Sequence, residues 1–274
     1  MSTMPVSAVL ITLNAASQLE NTLSSLKFCD DLVIVDSGST DGTLDIAAAF
    51  GARVFQQEWK GFGPQKQYAV AQAKNDWVLC LDADEEVTAE LKQSIVESFA
   101  GLLTSSSAGS SVGSLAGSFA GYRMPRCNHF LGRYLRHGEG YPDLSLRFFN
   151  RQKANWNSEA VHEGVEGLIP NAQFGLLQGD LLHHSAESLG QYLSKQNRYT
   201  DIQSTMLAER GKWPTTGKLV LSPLVRFIKF YVVRKGFLDG WPGLVHIAIG
   251  CFNSFIKYAK TREKIMTKQA ANLK

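Results

Sequence analysis

Trp77-Val78-Leu79-Cys80-Leu81-Asp82-Ala83-Asp84-Glu85-Glu86 sets an apolar run against an acidic one. The apolar half has the length and content of a buried strand. It ends in two carboxylates two residues apart, which can both reach one cation. Mg²⁺ and Mn²⁺ prefer oxygen ligands and commonly complete their shell with phosphate oxygens and water. The same acids also suit the first turn of a helix, where the helix dipole favours negative charge. What surrounds them decides between the two readings.

Upstream, Val6 to Thr12 is a short β-branched apolar run and reads as a strand. Residues 16 to 28 read as a helix with Leu19, Leu23 and Leu26 on one face. Leu32 to Asp36 is a second strand, followed by the polar turn Ser37-Gly38-Ser39-Thr40-Asp41-Gly42 and a helix through Ala47-Ala48-Ala49 that Gly51 closes. Arg53-Val54-Phe55 is a third strand, and Pro64 to Ala73 opens another helix. This alternation predicts an α/β fold, with a parallel sheet and helices on both faces. Ligands of such sheets bind beyond the carboxyl ends of the strands. Thr12-Leu13-Asn14, Asp36-Ser37-Gly38 and Asp82-Ala83-Asp84 all fall there. An acid at Asp36 can bond a base or ribose; the turn after it also reads as an ordinary helix cap. It is neither a G-x-x-x-x-G-K-[ST] loop nor G-x-G-x-x-G, which counts against ATPases and dinucleotide-dependent dehydrogenases.

Four cysteines, none in a C-x-x-C pair, point to neither zinc nor redox chemistry. No secretory signal is expected from Met1 to Val6, and no apolar run reaches the length of a bilayer span. The net charge of +3 is uneven: Lys218 to Lys274 holds 11 basic and two acidic residues. Leu102 to Gly121 is rich in Ser, Gly and Ala and reads as a flexible insertion. Leu144 to Phe149 is a further strand. Beyond Leu189 the pattern is helical, broken by Pro214, Pro223 and Pro242.

Thr12-Leu13-Asn14, Val33 to Thr43 and Leu81 to Glu85 together resemble the N-terminal half of glycosyltransferase family 2, whose members have a GT-A fold and invert the anomeric centre. Trp59 to Lys66, Pro125 to Arg133, Tyr141-Pro142-Asp143, Val161-His162-Glu163 and Gly179 to His183 resemble its lipopolysaccharide core β-1,4-glucosyltransferase subgroup. The resemblance runs over nearly the whole chain. It implies a GT-A catalytic domain over 1–188, with the flexible loop at 103–121, and a helical C-terminal region over 189–274.

The resemblance also implies roles. Thr12, Asn14 and Asp36 should contact the donor nucleoside, Asp82 the ribose or diphosphate, and Asp84 a divalent metal, Mg²⁺ or Mn²⁺. Lys66 is placed to reach a phosphate, or else is a helix-surface lysine. An inverting transfer needs one base to take the acceptor hydroxyl's proton. The family's usual Glu-Asp pair is missing here, so Glu163 is expected as base, with Asp143 as the alternative. His162 is a possible further metal ligand, and His183-His184 can approach the metal or diphosphate. Arg126, Arg133 and Arg136, with Arg123 and Arg147, suit an anionic acceptor.

The expected activity is hexose transfer, from UDP-glucose, to a lipid-linked or phosphorylated saccharide of the lipopolysaccharide core. The competing readings are a non-catalytic scaffold for sugar nucleotides and a metal-dependent nucleotidyltransferase. The apolar stretches Leu219–Val233 and Gly243–Ile256, flanked by Lys and Arg, suit a peripheral position on the cytoplasmic face of the inner membrane. Core helices packed on the catalytic domain or on a second subunit are the alternative. Nucleic acid is not expected, because the basic residues are interleaved with aliphatic ones.

Overall fold

The structure is a computed structural model that describes residues 3–107, 119–157, 163–185 and 188–271. The chain divides into two compact units, Met1–Arg126 with Asp143–His184, and Cys127–Pro142 with Ser185–Lys274.

The first unit opens with β1 (Met4–Thr12), α1 (Ala16–Ser25), β2 (Cys29–Asp36), α2 (Thr43–Ala49), β3 (Arg53–Gln56), α3 (Phe62–Ala71) and β4 (Trp77–Asp82). Strands β3, β2, β1 and β4 lie side by side and parallel. Alternation within the strands explains why both faces are covered. Ala8, Leu10, Leu79 and Leu81 face Leu19, Leu23 and Leu26 of the α1 region. Val9, Val78 and Cys80 face Ala69 and Val70 of α3. A strand buried on both sides has to be apolar throughout, which is the pattern these runs show. Gly51 follows α2 at φ +69°, the left-handed C′ position.

The expectation of a parallel sheet holds only this far. Next come β5 (Glu85–Val87) and α4 (Ala89–Ser107), then β6 (Phe119–Phe130), β7 (Arg133–Tyr134) and β8 (Asp143–Asn150). Then β9 (Ala154–Trp156), β10 (Val165–Gly167), β11 (Gln173–Leu176) and β12 (Leu181–His183) complete the strands. β8 runs antiparallel to β4 and to β6, and β12 antiparallel to β5, so the sheet is mixed. Between the expected insertion and Leu189, where Leu144 to Phe149 is the one strand expected, the chain holds several. Of the expected loop 103–121, residues up to Ser107 extend α4 and Phe119 to Gly121 begin β6; 108–118 lie outside the described residues.

The second unit holds α5 (Leu189–Glu209), α6 (Thr216–Phe227), a π-helical turn (Ile228–Val233), a 3₁₀ turn (Gly236–Asp239) and α7 (Gly240–Ala271). Ser188 caps α5 with a reciprocal Gln191 bond, a full capping box. Of the three prolines expected to break helices, only Pro214 does so. Pro223 lies within α6, and Pro242 lies in the first turn of α7, where no backbone donor is needed. No helix among the described residues is long and apolar enough to cross a membrane. All four cysteines are free thiols, and burial pushes the Cys80 thiol up to about 11.

Candidate active site

Three parallel strands end level with one another. Thr12 of β1 pairs in register with Asp36 of β2, and Ile11 with Asp82 of β4. The Asp36 carboxylate is fully buried. It accepts bonds from Thr12 Oγ1 (2.8 Å), Ser39 Oγ (2.5 Å) and the backbone amides of Gly38 (2.9 Å) and Ser39 (2.8 Å). Burial works to raise its pKa, but the bonds from Ser39, Thr12 and Gly38 together hold it below the usual carboxylate range. Gly38 sits at φ +102°, which a side chain would resist. Asn14, itself at φ +52°, accepts from Thr40 N (2.9 Å) and donates its own N–H to Ser39 Oγ (2.8 Å). Thr12, Asn14 and Asp36 thus form one bonded loop at the strand ends.

Asp82 and Asp84 part company. Asp82 meets two cations: Lys66 Nζ at 2.9 Å from Oδ1 and Arg147 Nη2 at 2.7 Å from Oδ2. Burial opposes its charge, but Arg147, Lys66 and Arg126 outweigh that and depress its pKa far below the usual range. Asp84 lies one turn on, about one-third exposed, with Oδ2 at 3.2 Å from His183 Nε2. The antiparallel β5–β12 pair brings His183 there, since it registers with Glu85. The Asp84 turn is tied down by Thr22 Oγ1 to Ala83 O (2.9 Å) and by His184 N to Asp84 O (2.8 Å). His184 Nε2 stands 2.8 Å from Glu86. The acids are not the first turn of a helix. Glu85 to Val87 is a strand, and α4 starts only after Thr88, whose Oγ1 accepts from Leu91 N.

Lys66 is buried on α3 and is no surface lysine. Its ammonium lies 3.9 Å from Glu163 as well as beside Asp82, and 4.8 Å from the ring centre of Trp156. Three sequence-predicted residues, Lys66, Asp82 and Glu163, are therefore in one cluster. Asp143, the alternative base, is held by Arg126, with Nε at 2.9 Å and Nη2 at 2.7 Å from the same oxygen. Arg126 also reaches Glu85 at 3.4 Å. His162 lies outside the described residues.

Sequence reading missed the floor of this cluster. Glu85 is fully buried; it accepts from Asp82 N (3.0 Å) and pairs with Arg147 (3.1 Å). Arg147, read as facing an acceptor, is buried against Trp156 at 5.5 Å and locked between Asp82 and Glu85. Burial works to lower its pKa, but Asp82 and Glu85 outweigh that and raise it above the usual arginine value. The signal was available: a lone Arg in the apolar run Leu144 to Phe149 needs a buried acid partner.

Arg133 and Arg136 belong to the second unit, where both side chains are exposed. The amides of Arg136 and His137 donate to the buried Asp239 (3.0 and 2.8 Å), and Arg133 Nε stands 3.9 Å from it.

A parallel α/β half-sheet with loops and acids at its carboxyl edge, continued by antiparallel strands, is the GT-A form of a glycosyltransferase. Residues 7–157, more than half of the chain, match the family described as Glycosyl transferase family 2, and the chain belongs to that family. It is 29% identical over 278 residues to the lipopolysaccharide core biosynthesis glycosyltransferase LpsC of Rhizobium meliloti (strain 1021), covering 98% of this chain and 96% of that protein. It is 30% identical over 263 residues to an uncharacterized glycosyltransferase of Rickettsia bellii (strain RML369-C), covering 95% and 87%. The S. aureus TarS 1-349 structure in complex with UDP superposes with a TM-score of 0.47 at 16% identity, over 97% and 92%.

Proposed function

We propose that this glycosyltransferase moves a hexose, glucose from UDP-glucose, with inversion onto a saccharide of the lipopolysaccharide core or a related envelope glycan. The acceptor is lipid-linked or phosphorylated, and the enzyme works at the cytoplasmic face of the inner membrane. The carrying observation is Lys66, whose buried ammonium joins Asp82 to Glu163 at the carboxyl edge of the sheet. It puts a fixed positive charge between an acid of the donor side and the expected base. The end-to-end match to LpsC supports the acceptor class.

Glu163 accepts the proton of the acceptor hydroxyl as that oxygen attacks, and the charge of Lys66 helps to orient it. Asp143 is the weaker candidate because Arg126 engages it from two nitrogens. Thr12 and Asn14 contact the nucleoside, and Asp36 serves it by fixing the Ser37–Thr40 turn from within. Lys66 faces the donor phosphates, and Arg133 and Arg136 suit an acceptor phosphate.

The site also suits a divalent ion. Asp84 and His183 present a carboxylate and an imidazole 3.2 Å apart, both partly exposed. No group of three ligating side chains occurs among the described residues, so a diphosphate and water would have to complete the ion's shell. When bound, Mg²⁺ or Mn²⁺ would neutralise charge on the departing diphosphate.

The test is transfer from a panel of radiolabelled UDP-sugars to truncated lipopolysaccharide, with linkage analysis, on the wild type and Glu163→Gln. The variant should bind UDP normally and lose turnover; retained turnover would move the base to Asp143.

A further inference from the structure

The polarity of α6 is reversed. In a helix on a water-facing surface, polar residues point out and apolar ones in. Here Arg226 is the residue turned to the unit's interior. It donates Nε to Glu139 (3.0 Å), Nη2 to the other Glu139 oxygen, and Nη1 to Ser254 Oγ of α7 (3.0 Å). The outer face is apolar. Val220, Leu221, Leu224, Val225 and Ile228 follow the i, i+1, i+4, i+5, i+8 spacing of a single face and are about half or more exposed (60, 56, 54, 61 and 48%). No residue of α6 or of the π-helical turn is buried. An exposed apolar strip of this length is rare on a monomer in water and marks a contact surface.

The charges around the strip select its partner. Between Gly211 and Leu238 there are six basic residues and no acidic one. Arg226 is committed to Glu139, but Lys218, Lys229 and Lys235 are exposed at or beyond the flanks of the strip. Trp241 and Phe237, 63 and 48% exposed, follow directly after the cations. A second copy of this chain would bring like charges together around the strip. An anionic lipid surface offers an apolar layer to the strip and phosphates to the lysines, and it accepts aromatic rings at its boundary.

We infer that α6, the π-helical turn and the 3₁₀ turn form a docking surface for anionic lipid, lying in the interface without crossing it. This deepens the membrane-face reading above, on which it rests for its purpose; its geometry is independent of the transfer chemistry. The inverted helix explains the partly buried Glu139–Arg226 pair. Once the apolar side faces lipid, the helix's one internal cation needs an acid inside.

The experiment is co-sedimentation of the full chain with vesicles of phosphatidylethanolamine and phosphatidylglycerol, and with phosphatidylcholine alone. UDP release onto a water-soluble saccharide is measured in parallel. The wild type should bind the anionic vesicles, bind phosphatidylcholine far more weakly, and lose affinity with salt. Leu224→Asp with Ile228→Asp should abolish binding while leaving the circular-dichroism melt and UDP release unchanged. Lys229→Glu and Lys235→Glu should each weaken binding by about fivefold or more, the value of one interfacial charge. Wild-type protein that ignores both vesicle types, or an Asp pair that still binds, would overturn the inference. So would a wild-type dimer that the Asp pair turns into a monomer, since a second copy would then be the occupant. Lost UDP release in the wild type with vesicle binding intact would sink the transfer reading and leave the lipid surface standing.

Discussion

Lys66→Met and Arg147→Met remove the two cations of Asp82, and the structure assigns them different consequences. Methionine keeps most of the length of the Lys66 side chain and its packing near Trp156. Asp82 would still have Arg147 at 2.7 Å and is about one-quarter exposed, so no isolated charge is left buried. The fold should lose about 1 kcal/mol or less, the range of partly exposed pairs. Catalysis should lose one or two charge-assisted contacts of about 1.5–3 kcal/mol each, which is about 10- to 150-fold in kcat/KM for the first. Arg147→Met is the reverse case. Glu85 is fully buried, and its remaining cation, Arg126, is 3.4 Å away. Breaking a buried pair costs about 3–5 kcal/mol. That is a fall of roughly 10 °C in melting temperature for a protein of this size. The assay pairs thermal melts with transfer kinetics on the same preparations. A Lys66→Met enzyme within threefold of wild-type kcat/KM would refute the functional reading of Lys66. An Arg147→Met protein that melts like wild type would refute the structural reading of Arg147.

Other outcomes follow from the same geometry. Asp84→Asn and His183→Ala should each raise the Mn²⁺ concentration needed for half-maximal transfer by about tenfold or more, and chelator should inactivate the wild type; transfer indifferent to chelator would remove the metal. Asp36→Asn should cost about 2–4 kcal/mol in a melt, because an amide has one accepting oxygen and can keep only two of the four bonds the carboxylate receives. His246 in the second unit is driven down to about 4 by burial and by Arg226. Its folded pKa lies below its unfolded value near 6.5, so stability should be complete above about pH 6.5 and fall as pH drops toward 4. His246→Phe should flatten that slope in melts at pH 5 and 7.5; an unchanged slope would assign it to other groups. Asp82 acts only in stronger acid. Its depressed pKa contributes stability that is whole above about pH 4 and is lost below that.

The parallel half of the sheet was legible because strands buried on both faces must be apolar throughout, and the turns between them carry their own signals. β6 and β11 were not legible, since each mixes polar and aromatic residues, and β12 is only three residues long and pairs with β5 from far along the chain. The acidic run shows how local chemistry misleads. Asp82 to Glu86 has the composition of a helix start, yet Thr88, two residues on, is the residue that caps α4. Lys66 was readable in principle. It lies three and four residues before Ala69 and Val70, both buried, so it shares their face. An unpaired lysine could not remain there, so its burial already required acids nearby.

The two aspartates of the D-x-D pair illustrate what spacing leaves open. Two residues apart on a straight strand, they would share a face and compete for the same cation. They do not stay on one strand: β4 ends at Asp82, and a tight turn bonded to Thr22 and His184 carries Asp84 away. One acid is thereby neutralised by Lys66 and Arg147, while the other stands beside His183. A departing diphosphate brings negative charge, and a site that met it with two bare carboxylates would repel it. Pairing Asp82 with Lys66 and Arg147 offsets its share of that repulsion. It also leaves Asp84 as the better placed of the two acids to hold a cation. The contact with Asp82 also anchors Lys66, and with it the charge 3.9 Å from Glu163. The turn at Ala83, a residue with no chemistry of its own, therefore separates the acid paired with Lys66 from the acid beside His183.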